Sequence, residues 1–104
     1  MIKVTRKDYT LTVEGHAGYA EVGKDIVCAA ASMLYQTLEA ELKRRDIPIV
    51  NGGHTNTETW GMEINACPPH EYTFDTEIVL DTICTGYRML AEEYPEHVTF
   101  TDES

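Results

Sequence analysis

Two apolar stripes of helical period, one in residues 25–45 and one in 75–93, set the tightest limit on how this chain can fold. In the first, Ile26, Ala30, Leu34, Leu38 and Leu42 recur every four residues, and Val27 and Ala31 widen the stripe. Asp25 stands where an N-cap belongs, and Asp46 with Pro48 marks the exit. In the second, Val79, Leu80, Ile83, Tyr87, Leu90 and Ala91 form the stripe of a helix expected from about Asp75 to Glu93. Each stripe must be covered, and the remaining patterned segments are strands. Ile2 to Thr5 and Thr10 to Glu14 alternate apolar and polar residues around the turn chemistry of Lys7-Asp8, which predicts a hairpin with Leu11 and Val13 on one face. Ile47 to Val50 is expected as a short strand ending at the turn signal Asn51-Gly52-Gly53. A further strand follows from about Thr57, with Trp60, Met62, Ile64 and Ala66 alternating with polar residues until Cys67-Pro68-Pro69 stops it. Val98 and Phe100 suit a last short strand. The expected fold is α+β: an antiparallel sheet with two long helices packed on one face, a sandwich in which both stripes are buried.

A chain of 104 residues suits one domain over 1–104. Its net charge of −10 argues against nucleic acid as a direct partner, because phosphate binding needs clustered Lys and Arg. The basic run Lys43-Arg44-Arg45 falls at a helix end, where cations complement the dipole. No window approaches the roughly 18 apolar residues of a membrane span. Met1-Ile2-Lys3-Val4 lacks the layout of a signal peptide, so a cytoplasmic location with reduced thiols is expected. Three cysteines, an odd number, fit a disulfide framework poorly. Each is a buried thiol, a ligand or a nucleophile.

Cys28 lies three residues after the expected N-cap. Unpaired N–H groups and the positive end of the helix dipole stabilise a thiolate in a first helical turn, and the same N–H groups are candidates to hold an oxyanion. His16, just before a glycine-rich stretch, is the nearest side chain suited to proton transfer near neutral pH. The residues alone leave two readings open. A lone Cys between Val27 and Ala29 is more often a small buried hydrophobe than a nucleophile.

The motif goes further. Gly15-His16-Ala17, a loop, and then Gly23-Lys24-Asp25-Ile26-Val27-Cys28-Ala29-Ala30-Ala31-Ser32 closely resembles the signature of the ribosomal-processing cysteine proteases called Prp. Gly86-Tyr87-Arg88-Met89-Leu90-Ala91-Glu92-Glu93-Tyr94-Pro95 is similar, more loosely, to the end of that family's second helix. The resemblance implies a thiol protease that trims the amino-terminal extension of ribosomal large-subunit protein twenty-seven after a short apolar segment, with related prophage proteins as further substrates. It implies His16 and Cys28 as the catalytic dyad, with Asp25 and Ser32 in support. It also implies a substrate-gating loop that includes Gly15, Ala17, Gly18, Tyr19 and Gly23, and a homodimer. No cofactor is needed. Asp25 keeps two readings, as a helix cap or as a third member orienting His16. Ser32, one turn beyond Cys28, either supports the site or bonds back to a helix carbonyl.

Other signals carry less. Cys67 and His70 have a C-x-x-H spacing, but His54 and His97 stand alone, so no second pair completes a zinc site. Cys84 falls beside the second stripe, as a buried thiol would, and Trp60 and Met62 read as core. The loop glycines lack the phosphate-binding pattern. A dimeric adaptor that binds an extended peptide without cutting it is the alternative from another class, and its Cys28 would label no faster than Cys67 or Cys84. A host enzyme and a prophage enzyme acting on a virion protein look alike at these positions.

Overall fold

Alternation along the amino-terminal segment does fold as a hairpin. The computed structural model describes residues 1–15, 25–55 and 60–104, with only the backbone described at 53–55 and 60. Strand β1 (Ile2–Lys7) pairs antiparallel with β2 (Thr10–Glu14), in a register that sets Val4 opposite Val13 and Arg6 opposite Leu11. The turn is Asp8-Tyr9, one residue later than expected, with Asp8 in the left-handed region at φ 53°. Asp tolerates that conformation better than most residues.

Helix α1 (Ile26–Arg44) follows, and its stripe is rotated from the expected one. Val27, Ala31, Tyr35, Leu38 and Leu42 are buried, whereas Ile26 is 56% exposed and Leu34 only partly covered. The period holds and the phase differs. The helix packs on both the sheet and a second helix, so its buried arc centres between the two rather than on the fourfold repeat. Its exit is a Schellman arrangement: Ile47 N–H donates to Leu42 O (2.9 Å) and Asp46 N–H to Lys43 O (3.0 Å). Asp46 takes the left-handed conformation, φ 58°, that glycine usually supplies, and Ile47 and Leu42 are both buried at the turn. The basic run pairs locally: Arg44 donates twice to the Glu41 carboxylate and Arg45 once. These bonds, Arg44 first, lower the Glu41 pKa to about 2.

Strand β3 (Ile49–Thr55) pairs antiparallel with β4 (Trp60–Ala66). Here the turn expected at Asn51-Gly52-Gly53 is corrected, because these residues are strand, facing Ile64, Glu63 and Met62. β3 is the terminal strand, so glycine weakens pairing on one side only. A 3₁₀ turn (His70–Tyr72) leads into α2 (Thr73–Glu93), which begins two residues earlier than expected. β5 (Val98–Asp102) closes the sheet, whose order is β3-β4-β2-β1-β5.

The sheet is mixed rather than wholly antiparallel: β5 runs parallel to β1, with Val4 beside Phe100. The reason is α2. A helix returning along the sheet makes β5 point the same way as β4, and β4 already runs parallel to β1 through their shared neighbour β2. Both helices cover one face, as expected. Ile2, Val4, Leu11, Val13, Ile64, Ala66 and Val98 meet the two helices, while Lys3, Lys7, Glu14, Glu63 and Asn65 line the open face. The helices approach closely at Gly86, where a Cβ would stand 2.7 Å from Leu34 Cδ2, and the Tyr87 hydroxyl donates to Ala31 O at 2.8 Å. Along the other side of α2, the Arg88 guanidinium lies 5.2 Å from the Phe100 ring centroid. Arg6 sits on the core-facing side of β1. It donates to the Asp81 carboxylate and, through Nε, to Asp8 O at 3.1 Å. No helix among the described residues is long and apolar enough to cross a membrane.

Candidate active site

Chain direction gathers the relevant segments at one end of the sheet. β2 runs to Glu14, opposite Gly61, and Gly15 follows it. α1 then runs back along the sheet and β3 returns, linked to the helix where Asn51 Nδ2 donates to Glu39 Oε2 at 2.6 Å. From Glu39 to Cys28 is about 16 Å of helix, and from Asn51 to Thr55 about 13 Å of strand. The first turn of α1 therefore lies level with the end of the sheet where β2 finishes and β4 starts. Residues 28, 32, 35 and 39 share one flank of α1, and Glu39 on it reaches β3 through Asn51. Cys28 and Ser32 are half-buried there, and Tyr35 is buried. Burial, reinforced by the nearby Glu39 and Glu63 carboxylates, pushes the Tyr35 phenol up.

Asp25 is the N-cap. Its backbone is extended (φ −84°, ψ 102°), and its Oδ1 accepts the Val27 and Cys28 N–H groups, each at 2.9 Å. Its carbonyl accepts from Ala29 N–H at 3.1 Å. The side chain has little solvent contact, the residue being 8% exposed. The Val27 and Cys28 amides, considered for an oxyanion, already serve the Asp25 carboxylate. The same clamp sets the backbone of Cys28 and hence the direction from which its sulfur leaves the helix.

Gly15 differs from a freely moving loop residue. At φ +94°, with Met1 O only 2.2 Å from where a Cβ would stand, its position admits no side chain without displacing the start of β1. It therefore fixes where the chain departs towards His16. His16 itself, and Ala17, Gly18, Tyr19 and Gly23 of the proposed gate, lie outside the described residues.

The other thiols occupy different settings. Cys84 is buried on α2, and that burial pushes its thiol up, partly opposed by the Arg6 guanidinium. Cys67 is exposed at the opposite end of the sheet, with Sγ 3.8 Å from Asn65 O. Among the described residues no three His, Cys, Asp or Glu side chains are grouped to hold a metal ion, His70 and Cys67 included. Met62 packs partly against the core, as read from sequence, whereas the Trp60 side chain lies outside what is described. Thr76 and Arg6 are the buried polar residues that the sequence reading missed, and a signal existed for Arg6. The alternation of Ile2 and Val4, carried one step further, places it on the buried face.

The sequence profile of the family described as "Cysteine protease Prp" matches residues 1–99. The chain is 29% identical over 104 residues to the ribosomal processing cysteine protease Prp of Mycoplasma genitalium, covering 100% of this chain and 98% of that one. It is 30% identical over 92 residues to the Prp of Staphylococcus aureus, covering 83% of this chain and 78% of that protein. Among solved structures, SMU.848 from Streptococcus mutans superposes with a TM-score of 0.76 at 27% identity, over 97% of this chain and 90% of that one. The S. aureus Prp in complex with a covalently linked product peptide has the same fold, with a TM-score of 0.78 at 21% identity over 99% of this chain and 100% of that one.

Proposed function

We propose, for a chain that belongs to the cysteine protease Prp family and is itself a cysteine protease, that Cys28 is the nucleophile and His16 its base and acid. His16 takes the thiol proton as Cys28 Sγ bonds to the scissile carbonyl carbon. The C–N bond then breaks, with the same proton passing to the leaving amine. Water, deprotonated by His16, attacks the thioester carbonyl, the C–S bond breaks to release the carboxylic acid, and the proton passes from His16 back to Cys28 Sγ. Because Asp25 occupies the Val27 and Cys28 amides, we assign the oxyanion to donors outside that pair.

The observation that carries this reading is the setting of Cys28. It is half-buried, in the first turn of a helix and held by a buried cap, whereas Cys84 is sealed in the core and Cys67 stands at the far end of the sheet. Asp25 acts through that cap, and Ser32 supports the site from the next turn. The substrate we assign is the amino-terminal extension of ribosomal large-subunit protein twenty-seven, cut after its apolar segment by one domain over 1–104 that works as a cytoplasmic homodimer. Residues Gly15 to Lys24 would admit the peptide. The S. aureus relatives seen with a substrate peptide and with a product peptide support a protein substrate.

Cleavage of a peptide spanning that extension tests the reading. Wild type should cut it, Cys28→Ala should lose activity by several orders of magnitude, and His16→Ala should lose about 10²–10⁴-fold. Equal activity in wild type and Cys28→Ala would remove the assignment. If wild type does not cut this peptide, selective labelling of Cys28 over Cys67 and Cys84 would retain the protease with another substrate, such as a virion protein. Uniform labelling would remove Cys28 as nucleophile.

A further inference from the structure

Threonine is short and polar, so a group of threonines on one face of a hairpin leaves a low floor between longer side chains. β1 and β2 build such a floor on the face of the sheet that the helices leave open. Thr5, Thr10 and Thr12 share that face by alternation, Thr5 opposite Thr12 and Thr10 opposite Asn65. Glu63 and Asn65 of β4 bound one side, Glu103 bounds the other, and Lys7 and Asp8 close the end at the turn. The result is a trough of about 540 Å³, a size typical of ligand sites. The wall that carries Glu103 is fastened, because Glu103 N–H donates to Arg6 O at 2.7 Å and Asp8 N–H to Ser104 Oγ at 2.8 Å.

The lining is rich in acceptors. It carries the carboxylates of Asp8, Glu63 and Glu103 against the single ammonium of Lys7, and among the described residues none of the four is in an ion pair. Thr10 Oγ1 spends its proton on Asn65 Oδ1 at 3.1 Å, which leaves the threonine oxygen to accept as well. Such a trough suits an ammonium or guanidinium. Its place excludes the bond being cut: Thr10 is four residues, about 13 Å, along β2 from Glu14, and the sheet stands between the trough and α1. We infer that the trough is a second contact for the protein substrate, holding Lys or Arg side chains of the ribosomal protein's own body while its extension is cut elsewhere. This rests on the reading of the chain as a protease of a ribosomal-protein precursor. A protein that is held against RNA neutralises phosphates with clustered Lys and Arg. A chain of net charge −10 attracts such a protein and repels a second copy of itself.

The test uses the full chain as Cys28→Ala, labelled with ¹⁵N, and two probes: the whole ribosomal-protein precursor and its extension peptide alone. The precursor should shift the amides of Thr5, Thr12 and Glu63, and the extension peptide should leave them in place. Asp8→Asn, Glu63→Gln and Glu103→Gln together should weaken precursor binding about five- to thirtyfold at low salt, and the loss should shrink at high salt. All three side chains are exposed, and Asn keeps the left-handed conformation of Asp8, so a thermal melt should find this variant folded. Neutralising Glu71, Glu92 and Glu93, which are exposed outside the trough, should weaken binding about threefold at most, through the field of the whole chain alone. Equal losses from the two triple variants, or no precursor shift in the trough, would overturn the inference. So would trough shifts with spermidine but not with the precursor, since a free polyamine would then be the ligand. Shifts that grow with protein concentration in the absence of any probe would overturn it too, by giving the trough to a second copy. Wild-type cleavage of the extension peptide is scored separately. Cutting without trough contact would leave the protease and remove this site, whereas trough contact without cutting would keep the site and remove the catalytic reading for this substrate.

Discussion

Asp25 and Gly15 show how much of the site is decided by single backbone positions. Asp25 was legible as a cap, but not the fact that one oxygen takes both the Val27 and Cys28 amides. Asp25→Ala should cost about 0.5–2 kcal/mol and reduce cleavage by freeing the first turn, whereas Asn, an equally good cap, should stay within about 0.5 kcal/mol of wild type. Thermal melts and peptide cleavage on both variants separate the two roles of this residue. An Asn variant that folds normally yet is as inactive as Ala would show that the charge orients His16. Gly15 is more restrictive. Its positive φ alone costs a side-chain-bearing residue about 1–3 kcal/mol, and Met1 O stands where the Cβ would be. Gly15→Ala should lower stability by at least that much and shift the departure of the chain towards His16. A variant with unchanged melting and turnover would remove that role.

Helices and strands were legible as elements, and their phase was less so. Leu38 and Leu42 lie at the centre of the buried arc of α1, but Ile26 belongs to the exposed side, because the arc is set by two neighbours that a one-dimensional period does not contain. The seam with α2 depends on Gly86. Substituting Val there drives a branched side chain against Leu34, and overpacking of this kind costs about 1–3 kcal/mol. Urea denaturation of Gly86→Val measures it. An unchanged midpoint would mean that Leu34 turns aside without loss and that the close approach is not needed.

Across the whole molecule, the sheet and α2 are joined by a charge whose two partners differ in environment. Arg6 is 7% exposed, while the Asp81 side chain is 67% exposed. An ordinary surface pair contributes about 0–1 kcal/mol, but removing the partner of a buried guanidinium strands it. Asp81→Ala should therefore destabilise by about 1–3 kcal/mol, more than Glu41→Gln, which removes a paired carboxylate on the surface. Chemical denaturation of the two variants side by side decides this. Equal losses would mean that water reaches Arg6 well enough to replace Asp81.

What the sequence determined by itself was local. The periods of the helices, the alternation of β1, β2 and β4, the cap at Asp25 and the Gly15-to-Ser32 motif all depend on residues close together in the chain, and each carries its own signal. The tertiary structure decided what depends on neighbours far apart in sequence. It selected which arc of α1 is buried, kept Asn51-Gly52-Gly53 in a strand through pairing with β4, and set β5 parallel to β1 because α2 reverses the chain between them. It also placed Arg6 under α2. Propensity is a property of a few adjacent residues, whereas burial, register and strand direction are fixed only when distant segments meet.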